Sequence, residues 1–523
     1  MLPVYPMVKT FFITTAIDYT NAAPHIGHAY EKILADVLAR YHRLKGEPVF
    51  FLTGVDQHGQ KVQQTAQKQG VEPAEFAREV TSKFVALWKK LGLSHDAWAA
   101  TTEPLHKGVV QKILQCLFDA GEIYKASYSG FYSIRQEQFL TDKERGPDGE
   151  FGPEWGEVQE STEENYYFRL AKHRGWLVQY IQSHPEYVTP AFRQTELRNA
   201  VEKISGDLCV SRPKARLEWG IELPFDAGYV TYVWFDALIN YISFGGYWNS
   251  EERDNPEFES RWPALHVIGK DILVPAHGVY WPIMLHAIGF TDAKIPPLLV
   301  HGYINSGGAK ISKSLGNIVD PSLLADKYGP GALRYYLMRD TVTGQDMEFS
   351  EDRLVVRYNT DLANDLGNLL NRTLNMAHRY REGVLKRPAA ETEWLAEARA
   401  VASHYAAKMD QYLVHAALET AFGLAAKCNA YIETQAPWKL AQDPAQRDPL
   451  DTVLYHLAEA LRILAILIAP VLPEAARGMA GQLNVSPEPR LADALNPEAA
   501  LPHGHVRGKP TPLFPRIEAE AKR

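Results

Sequence analysis

The chain has 523 residues, of which 46% are hydrophobic, and its formal net charge is −8. This length allows one to four domains with a large core, and the charge gives no general affinity for nucleic acid, although an acidic protein can carry a local basic face. No apolar run is long enough for a membrane span, the first residues lack a secretion signal, and the three cysteines are widely spaced, so we expect a cytoplasmic protein without disulfides.

The first pattern in the chain is an apolar, β-rich run, Phe11–Thr15, which predicts a buried strand. Hydrophobic residues then recur at helical spacing over residues 33–44. Between them lies Pro24-His25-Ile26-Gly27-His28, at the turn where the strand gives way to the helix. N–H groups at a helix N-terminus favour anions, two imidazoles can donate to phosphate oxygens, and Gly27 lets a flat ring approach the backbone. The turn therefore predicts a nucleotide site.

Strand and helix patterns alternate over residues 8–120, with a second strand at residues 49–52 that ends in polar residues around Asp56. Polar residues at the end of a parallel strand are where α/β sheets bind ligands. The alternation is interrupted by a Gly- and Pro-rich loop and by aromatic runs at residues 128–132 and 166–170, which predict strands of an inserted subdomain. It returns with strands predicted at residues 230–236, 265–268 and 298–300.

These patterns predict an α/β fold: a Rossmann-type, doubly wound parallel sheet that is split by an inserted subdomain. Helical periodicity over residues 354–380, 394–436 and 450–483 predicts a helical bundle after the sheet. The Pro-rich tail should pack loosely on the surface. The predicted divisions are a first half of the Rossmann-type domain at residues 1–120, the insertion at 121–225, the second half of that domain at 226–350, the helical bundle at 351–485 and the tail at 486–523.

A glycine-rich loop, Gly307-Gly308-Ala309-Lys310-Ile311-Ser312-Lys313-Ser314, follows the last predicted strand. Lysine binds phosphate as a point charge, although such a loop taken alone would be read as solvated surface. Together, the His-x-Gly-His turn and this loop resemble the HIGH and KMSKS signatures of class I aminoacyl-tRNA synthetases. The second signature differs only in Ile311, which replaces a methionine.

Within that class, the chain is most similar to the methionyl-tRNA synthetases. The residues that carry this resemblance are 16–21, 53–59, 232–237, 269–271, His277, Trp281 and 436–438. The resemblance implies a methionine pocket and an ATP site. The implied methionine-binding residues are Ile17, Tyr19, Asp56, Trp234, Ala237, Tyr241 and His277. The implied ATP-binding residues are His25, Gly27, His28, Gly269, Asp271, Lys310 and Lys313.

The chemistry of these residues agrees with the implied roles. Aromatic walls suit a thioether, because sulfur–aromatic contacts stabilise by roughly 0.3–1.5 kcal/mol. Asp56 can hold the substrate ammonium, and Asp271 can accept hydrogen bonds from ribose hydroxyls. His25, His28, Lys310 and Lys313 are the implied catalytic residues, which stabilise the charge that grows on the phosphates, with Mg²⁺ as a further counter-charge.

The insertion departs from the family pattern. Many relatives carry a zinc knuckle built on Cys-x-x-Cys, whereas Ser133 and Gln136 occupy the first two cysteine positions here. Structural zinc requires four Cys or His ligands, so we expect no zinc.

In the bundle, the resemblance implies that Asn368, Arg372 and Trp438 read the anticodon of tRNA(Met), with the tryptophan stacking on an unpaired base. Some relatives append a C-terminal module that dimerises them. This chain ends too early to hold such a module, so we expect a monomer.

Three alternatives remain open at this stage. A class I synthetase for another apolar amino acid is the nearest, although those for isoleucine, valine and leucine need a large editing domain, because a pocket rejects one missing methylene only about 10–200-fold. A small nucleotidyltransferase would share the His-x-Gly-His turn but would not need the bundle. A non-enzymatic RNA-binding module would not need His25, His28, Lys310 and Lys313.

Overall fold

The computed structural model describes residues 9–133, 138–140, 145–146, 148–202, 204, 206–248, 251, 253, 255–310 and 319–518. Its strands are β1 (Phe11–Thr15), β2 (Asp18–Tyr19), β3 (Val49–Asp56), β4 (Ala97–Ala100), β5 (Ile123–Ser133), β6 (Gln138–Leu140), β7 (Val158–Phe168), β8 (Val188–Thr189), β9 (Leu208–Cys209), β10 (Ser211–Pro213), β11 (Glu222–Leu223), β12 (Asp226–Thr231), β13 (Leu265–Gly269), β14 (Leu298–His301), β15 (Ile304–Ser306), β16 (Ala309–Lys310), β17 (Met347–Glu348), β18 (Val384–Leu385) and β19 (His505–Val506).

The helices of the α/β region are α1 (Ile26–Leu44), α2 (Gln60–Gln69), α3 (Pro73–Lys90), α4 (Pro104–Asp119), α5 (Leu170–Ser183), α6 (Ala191–Val201), α7 (Val233–Leu238), α8 (Asn240–Ser243), α9 (Pro256–Arg261), α10 (Trp281–Ala287), α11 (Pro321–Tyr328) and α12 (Pro330–Asp340). The helices that follow are α13 (Glu351–Arg357), α14 (Leu369–Arg381), α15 (Glu393–Met409), α16 (Val414–Gln435), α17 (Pro437–Leu440), α18 (Arg447–Ile468), α19 (Pro473–Leu483) and α20 (Leu491–Leu495).

The predicted parallel sheet is confirmed. Its strands run in the order β4-β3-β1-β13-β14-β8, with β2 paired to the end of β3, and every pairing is parallel. Successive side chains of a strand point to opposite faces, and the adjacent residues Phe12 and Ile13 indeed join two different buried clusters. The sheet therefore has a hydrophobic layer on each face, as a doubly wound fold requires.

The insertion is built around an antiparallel sheet in the order β6-β5-β7-β9. The two aromatic runs predicted as strands lie in β5 and β7, but Leu170 begins α5 instead. The following segment returns to the catalytic region, because Val188 of β8 pairs with Leu298 of β14. Part of the chain between residues 121 and 225 thus completes the parallel sheet.

The strand predicted at residues 230–236 is wrong in its second half and in its partners. β12 ends at Thr231 and pairs antiparallel with β10 and β11, outside the parallel sheet. Helix α7 begins at Val233. The β-branched and aromatic residues of this run suggested a strand, but tertiary contacts of Asp236 and Ala237 favour a helix there.

The predicted helical bundle is confirmed in α13–α16 and α18–α19, with a π-helical segment, Tyr358–Asn368, that joins α13 to α14. The prediction of a loosely packed tail is wrong, because Leu491, Ala494 and Leu501 are buried against the bundle. The tail also supplies β19, which pairs with β18. No helix in the described part of the chain is both long and apolar enough to cross a membrane.

Helix α1 connects the sheet to the bundle. Arg334 of α12 donates to Asp36 of α1 at 2.7 Å and to the carbonyl of Val471, after α18, at 2.8 Å. The hydroxyl of Tyr41, near the end of α1, donates to Asp410 after α15 at 2.9 Å. The same helix therefore starts at the His-x-Gly-His turn and ends against the bundle.

Candidate active site

A cavity of about 600 Å³ lies at the carboxyl ends of β1, β3, β13 and β14. Ligands of open α/β sheets bind at this edge. From the predicted nucleotide set, the residues that line it are His25, Gly27, His28, Gly269 and Asp271. From the predicted methionine set, they are Ile17, Tyr19, Asp56, Trp234, Ala237, Tyr241 and His277. Residues far apart in the chain thus meet in one cavity, while their individual roles stay predictions.

His25 and His28 cap the N-terminus of α1 reciprocally. The Nδ1 atom of His25 accepts from the N–H of Gly27 at 3.0 Å, and the Nδ1 atom of His28 accepts from the N–H of His25 at 3.1 Å. An Nδ1 atom that accepts carries no proton, so each neutral ring has its proton on Nε2. Burial, together with the charges of His25 and Lys32, holds the pKa of His28 well below its ordinary value. The turn therefore presents Nε2–H donors with a fixed tautomer.

Two glycines in the cavity are covered by the side chains of residues two positions away. A Cβ atom at Gly27 would lie 2.9 Å from Cε1 of His25. A Cβ atom at Gly269 would lie 2.6 Å from Oδ1 of Asp271. A side chain at Gly27 would displace His25, and one at Gly269 would displace Asp271. Both glycines therefore allow the positions that these two side chains take in the cavity.

Asp56, at the end of β3, is a buried carboxylate with weak partners. Its Oδ1 atom is 3.4 Å from the N–H of His58 and 3.4 Å from the hydroxyl of Thr101. Burial raises its pKa well above the ordinary value, and the nearby charge of Asp236 raises it further. A cation beside Asp56 would stabilise the ionised carboxylate and lower its pKa again, so the residue suits a substrate ammonium.

Asp236 was not predicted as a site residue, although it lies within the run that carries the resemblance. Its carboxylate accepts from Nδ1–H of His58 at 2.7 Å and from Nε2–H of His106 at 2.8 Å. Burial alone would raise the pKa of Asp236, but the two histidines lower it to about 2. The ionised carboxylate fixes His58, two residues after Asp56, behind the cavity wall.

Tyr241 and His277 form a fixed polar pair at the opposite wall. The Nδ1 atom of His277 lies 3.0 Å from the carbonyl of Ile272, which can only accept, so the ring donates there. Its Nε2 atom then accepts from the hydroxyl of Tyr241 at 2.7 Å. Burial lowers the pKa of His277 to about 4 and keeps the ring neutral.

The apolar wall comes largely from one helical face. Trp234, Ala237 and Tyr241 are spaced three and four residues apart across α7 and α8, so they point to the same side. Tyr19 faces them from β2. A Cβ atom at Gly59 would lie 2.7 Å from the hydroxyl oxygen of Tyr19, so Gly59 leaves room for that ring. One end of the cavity has neutral imidazole donors, which fit the phosphates of a nucleotide. The other end has an aromatic wall and a buried carboxylate, which fit an apolar amino acid.

Comparison with known proteins decides between the alternatives left open by the sequence. The family model for class I tRNA synthetases (M) matches residues 11–149 and 155–374, and the model for the anticodon-binding domain of methionyl tRNA ligase matches residues 385–523. The chain belongs to the methionyl-tRNA synthetase family. The two matches together extend over both the α/β region and the bundle.

Individual members of this family are similar over nearly the whole chain. The methionine–tRNA ligase of Deinococcus radiodurans is 43% identical over 528 residues, which cover 98% of this chain and 75% of the relative. That of Caldanaerobacter subterraneus is 40% identical, covering 98% and 80%. The solved structure of Mycobacterium tuberculosis methionyl-tRNA synthetase in complex with methionyl-adenylate has a TM-score of 0.90 and 37% identity, covering 97% of this chain and all of that one.

The lysine loop of the family begins beside the cavity. Ile304 of β15 lines the cavity, and Asn305 of the same strand pairs with Lys310 of β16. The turn between these strands holds Gly307 and Gly308 at positive φ. The backbone of Lys310 is thus placed near the nucleotide side, whereas Lys313 lies outside the described residues.

The predicted anticodon residues are exposed or partly exposed on the bundle. Asn368 ends the π-helical segment and Arg372 follows four residues later in α14, on the same helix face. Arg372 donates to Glu433 of α16 at 2.7 Å. Trp438 of α17 is 36% exposed, which is more than a core residue would be. Their role in tRNA reading stays a prediction.

The predicted zinc-less insertion is described in part. Ser133 ends β5 and donates to the backbone carbonyl of Trp155, and Gln136 lies outside the described residues. Within the described ranges, no group of three or more His, Cys, Asp or Glu residues is arranged to hold a metal ion.

Proposed function

We propose that the protein activates L-methionine with ATP, releasing pyrophosphate, and then transfers the methionyl group from the adenylate to the 3′-terminal adenosine of tRNA(Met). The observation that carries this proposal is one cavity that joins the His-x-Gly-His turn to an aromatic pocket with a buried carboxylate. Family membership supports the same reaction.

Methionine binding uses the half of the cavity formed by β2, β3 and α7. Asp56 holds the ammonium group, and this charge pair lowers the free energy of a carboxylate that burial otherwise penalises. Ile17, Tyr19, Trp234 and Ala237 contact the apolar side chain, where the soft thioether gains sulfur–aromatic contacts. The Tyr241–His277 pair closes the pocket with neutral polar atoms.

Activation occurs where the two halves of the cavity meet. A carboxylate oxygen of methionine attacks the α-phosphorus of ATP, the bond to the β-phosphate breaks, and pyrophosphate leaves with the electron pair. His25 and His28 donate from Nε2 to the phosphates, and Lys310 and Lys313 add positive charge. Donors that are already oriented stabilise this developing charge without reorganisation.

The rest of the nucleotide is held by the glycine-rich surfaces. The adenine ring lies beside the turn that His25 and Gly27 form, and Asp271, beside Gly269, accepts from the ribose hydroxyls. Mg²⁺ accompanies the phosphates as counter-charge. Because Mg²⁺ is usually held by phosphates with one or two carboxylates, it does not need a three-residue cage, and the described residues contain none. No zinc is required in the insertion.

Transfer then uses tRNA bound across both regions. Asn368 and Arg372 read a base edge while Trp438 stacks on a base, and a hydroxyl of the terminal adenosine attacks the methionyl carbonyl carbon, so that AMP leaves. The half-exposed indole supports stacking, which is worth about 1–3 kcal/mol per base. A monomeric state and a cytoplasmic location stay predictions, of which sedimentation tests the first.

Pyrophosphate exchange into ATP tests the amino-acid specificity directly. Each of the twenty amino acids is supplied alone, and we expect exchange with methionine only. Charging of tRNA(Met) is then measured with the anticodon intact and with a changed anticodon. Exchange that favours isoleucine, leucine or valine over methionine would show that the pocket was assigned to the wrong substrate.

A further inference from the structure

A buried lysine that no proposed substrate contact involves lies directly behind the cavity. Lys32 of α1 is 1% exposed and is not among the cavity-lining residues. Its ammonium donates to the carbonyl of Ala16 at 2.9 Å, to Oδ1 of Asp18 at 2.5 Å and to Oε1 of Glu31 at 2.9 Å. An ammonium has three N–H groups, so each donor has one acceptor.

The acceptors belong to the two halves of the site. Ala16 and Asp18 flank Ile17 and precede Tyr19, on the methionine side of the cavity. Glu31 lies one turn after His28 on α1, and its other oxygen, Oε2, is 3.0 Å from Nε2 of His301. That histidine lines the cavity beside Gly269, on the nucleotide side.

The charges of this cluster require Lys32 to remain an ammonium. Burial would lower the pKa of Lys32, but Asp18 and Glu31 raise it above the ordinary value. Among the described residues Asp18 has Lys32 as its hydrogen-bond partner, and its Oδ2 atom has none. The carboxylate of Asp18 therefore serves to hold the lysine, which in turn fixes the end of β1 relative to α1.

We propose that Lys32 is a positioning residue that sets the spacing between the methionine half and the nucleotide half of the active site. The inference rests on the proposed function. Its consequence is that Lys32 governs the rate of adenylate formation more than the affinity for either substrate. A misplacement of about 1 Å between reacting groups costs about a hundredfold in rate, even when each substrate still binds.

Three variants separate positioning from charge balance. Lys32→Met removes the ammonium that balances the buried Asp18 and Glu31. The double variant Asp18→Asn with Lys32→Met removes the Lys32–Asp18 pair and leaves Glu31 with His301; loss of a buried ion pair as a whole is often nearly neutral for stability. Burial raises the pKa of Asp18 to about 7, so asparagine resembles its protonated form. Lys32→Arg keeps the charge but replaces three rotatable donors with a planar fork.

Melting temperature and the kcat and KM of pyrophosphate exchange are measured for each variant, with Lys68→Met on the exposed end of α2 as the control. We expect kcat to fall at least about tenfold in all three variants, with KM for methionine and for ATP within a few-fold of the wild type. The double variant should regain thermal stability relative to Lys32→Met without regaining kcat.

Two results would overturn the positioning role. If kcat recovers together with stability in the double variant, Lys32 only balances buried charge. If KM for one substrate rises while kcat is kept, Lys32 supports binding at one half of the site. A wild-type protein without methionine-dependent exchange would instead refute the proposed function, so the two failures are distinguishable. Lys32→Arg keeps the test valid if loss of the charge prevents folding.

Discussion

We assign His25 two tasks, one to each ring nitrogen, and substitution can separate them. Nδ1 accepts from the backbone of Gly27 and caps α1, whereas Nε2 is the proposed phosphate donor. Asparagine places an oxygen close to the position of Nδ1 and is among the best N-cap residues, but it has no group at the position of Nε2. Glutamine places an amide N–H near Nε2 but loses the cap.

General values for helix caps and for oriented donors give a magnitude for each loss. Removal of an N-cap acceptor costs about 1 kcal/mol in the free energy of unfolding, within a range of about 0.5–2 kcal/mol. Removal of one oriented donor from a developing oxyanion costs about 10²–10³ in kcat, or roughly 2.7–4 kcal/mol. We therefore expect His25→Asn to be nearly as stable as the wild type but hundreds-fold slower. His25→Gln should be less stable and should keep more of the activity.

The assay pairs denaturant unfolding with pyrophosphate exchange at saturating methionine and ATP. The decisive comparison is the order of the two variants in each measurement, because the expected orders are opposite. If both variants lose activity in proportion to stability, His25 contributes only to the helix cap. Near-normal exchange by His25→Asn would show that Nε2 does not contact the phosphates in the transition state.

Four other predictions concern separate parts of the site. Lys313→Ala should slow adenylate formation by roughly two to four orders of magnitude with little change in methionine binding, and near-normal exchange would contradict its role. Methionine affinity should fall as the pH falls. Because the pKa of Asp56 is raised, its carboxylate becomes protonated at a higher pH than an ordinary aspartate and then no longer attracts the ammonium. Asp56→Asn should weaken methionine binding about tenfold or more and remove this pH dependence, as measured by KM against pH. Trp438→Ala should weaken tRNA charging by roughly ten- to a hundredfold while exchange without tRNA is kept, whereas parallel loss of both with a lower melting temperature would make it a packing residue. Elemental analysis should find no stoichiometric zinc, and activity that chelation removes and zinc restores would show that the insertion around Ser133 was misinterpreted.

The sequence predicted the places of the His-x-Gly-His turn and of the parallel strands β1, β3, β13 and β14, because these depend on local patterns. Phe11–Thr15 alternates between two buried layers, and the His-x-Gly-His turn lies where α1 begins. The roles of the ring nitrogens were not predictable, since they depend on how His25 and His28 turn toward backbone N–H groups. The motif gives the residue types, whereas the tautomer follows from the folded geometry.

Other features needed contacts that no local pattern reveals. Lys32 and Asp18 are fourteen residues apart, and their pairing depends on how α1 packs against the end of β1. The strand predicted through Asp236 failed because β propensity is weaker than the tertiary contacts of a buried carboxylate with His58 and His106. The spacing of Trp234, Ala237 and Tyr241, three and four residues apart, is the sequence signal that indicates a helix in this segment.

Helix α1 joins two distant parts of the molecule, the His-x-Gly-His turn at its start and the bundle contact of Tyr41 near its end. From Ile26 to Tyr41 it spans about 22 Å, at roughly 1.5 Å per residue. Tyr41 donates to Asp410 at the bundle end of the helix, whereas the histidines lie at its N-terminal end, next to the contacts of Lys32 with Asp18 and of Glu31 with His301. A tilt of about 3° about the Tyr41 contact would move the histidine rings by about 1 Å, the same displacement that separates a productive from an unproductive geometry. Helix α1 thus links a contact with the bundle to the two histidines that we propose as phosphate donors.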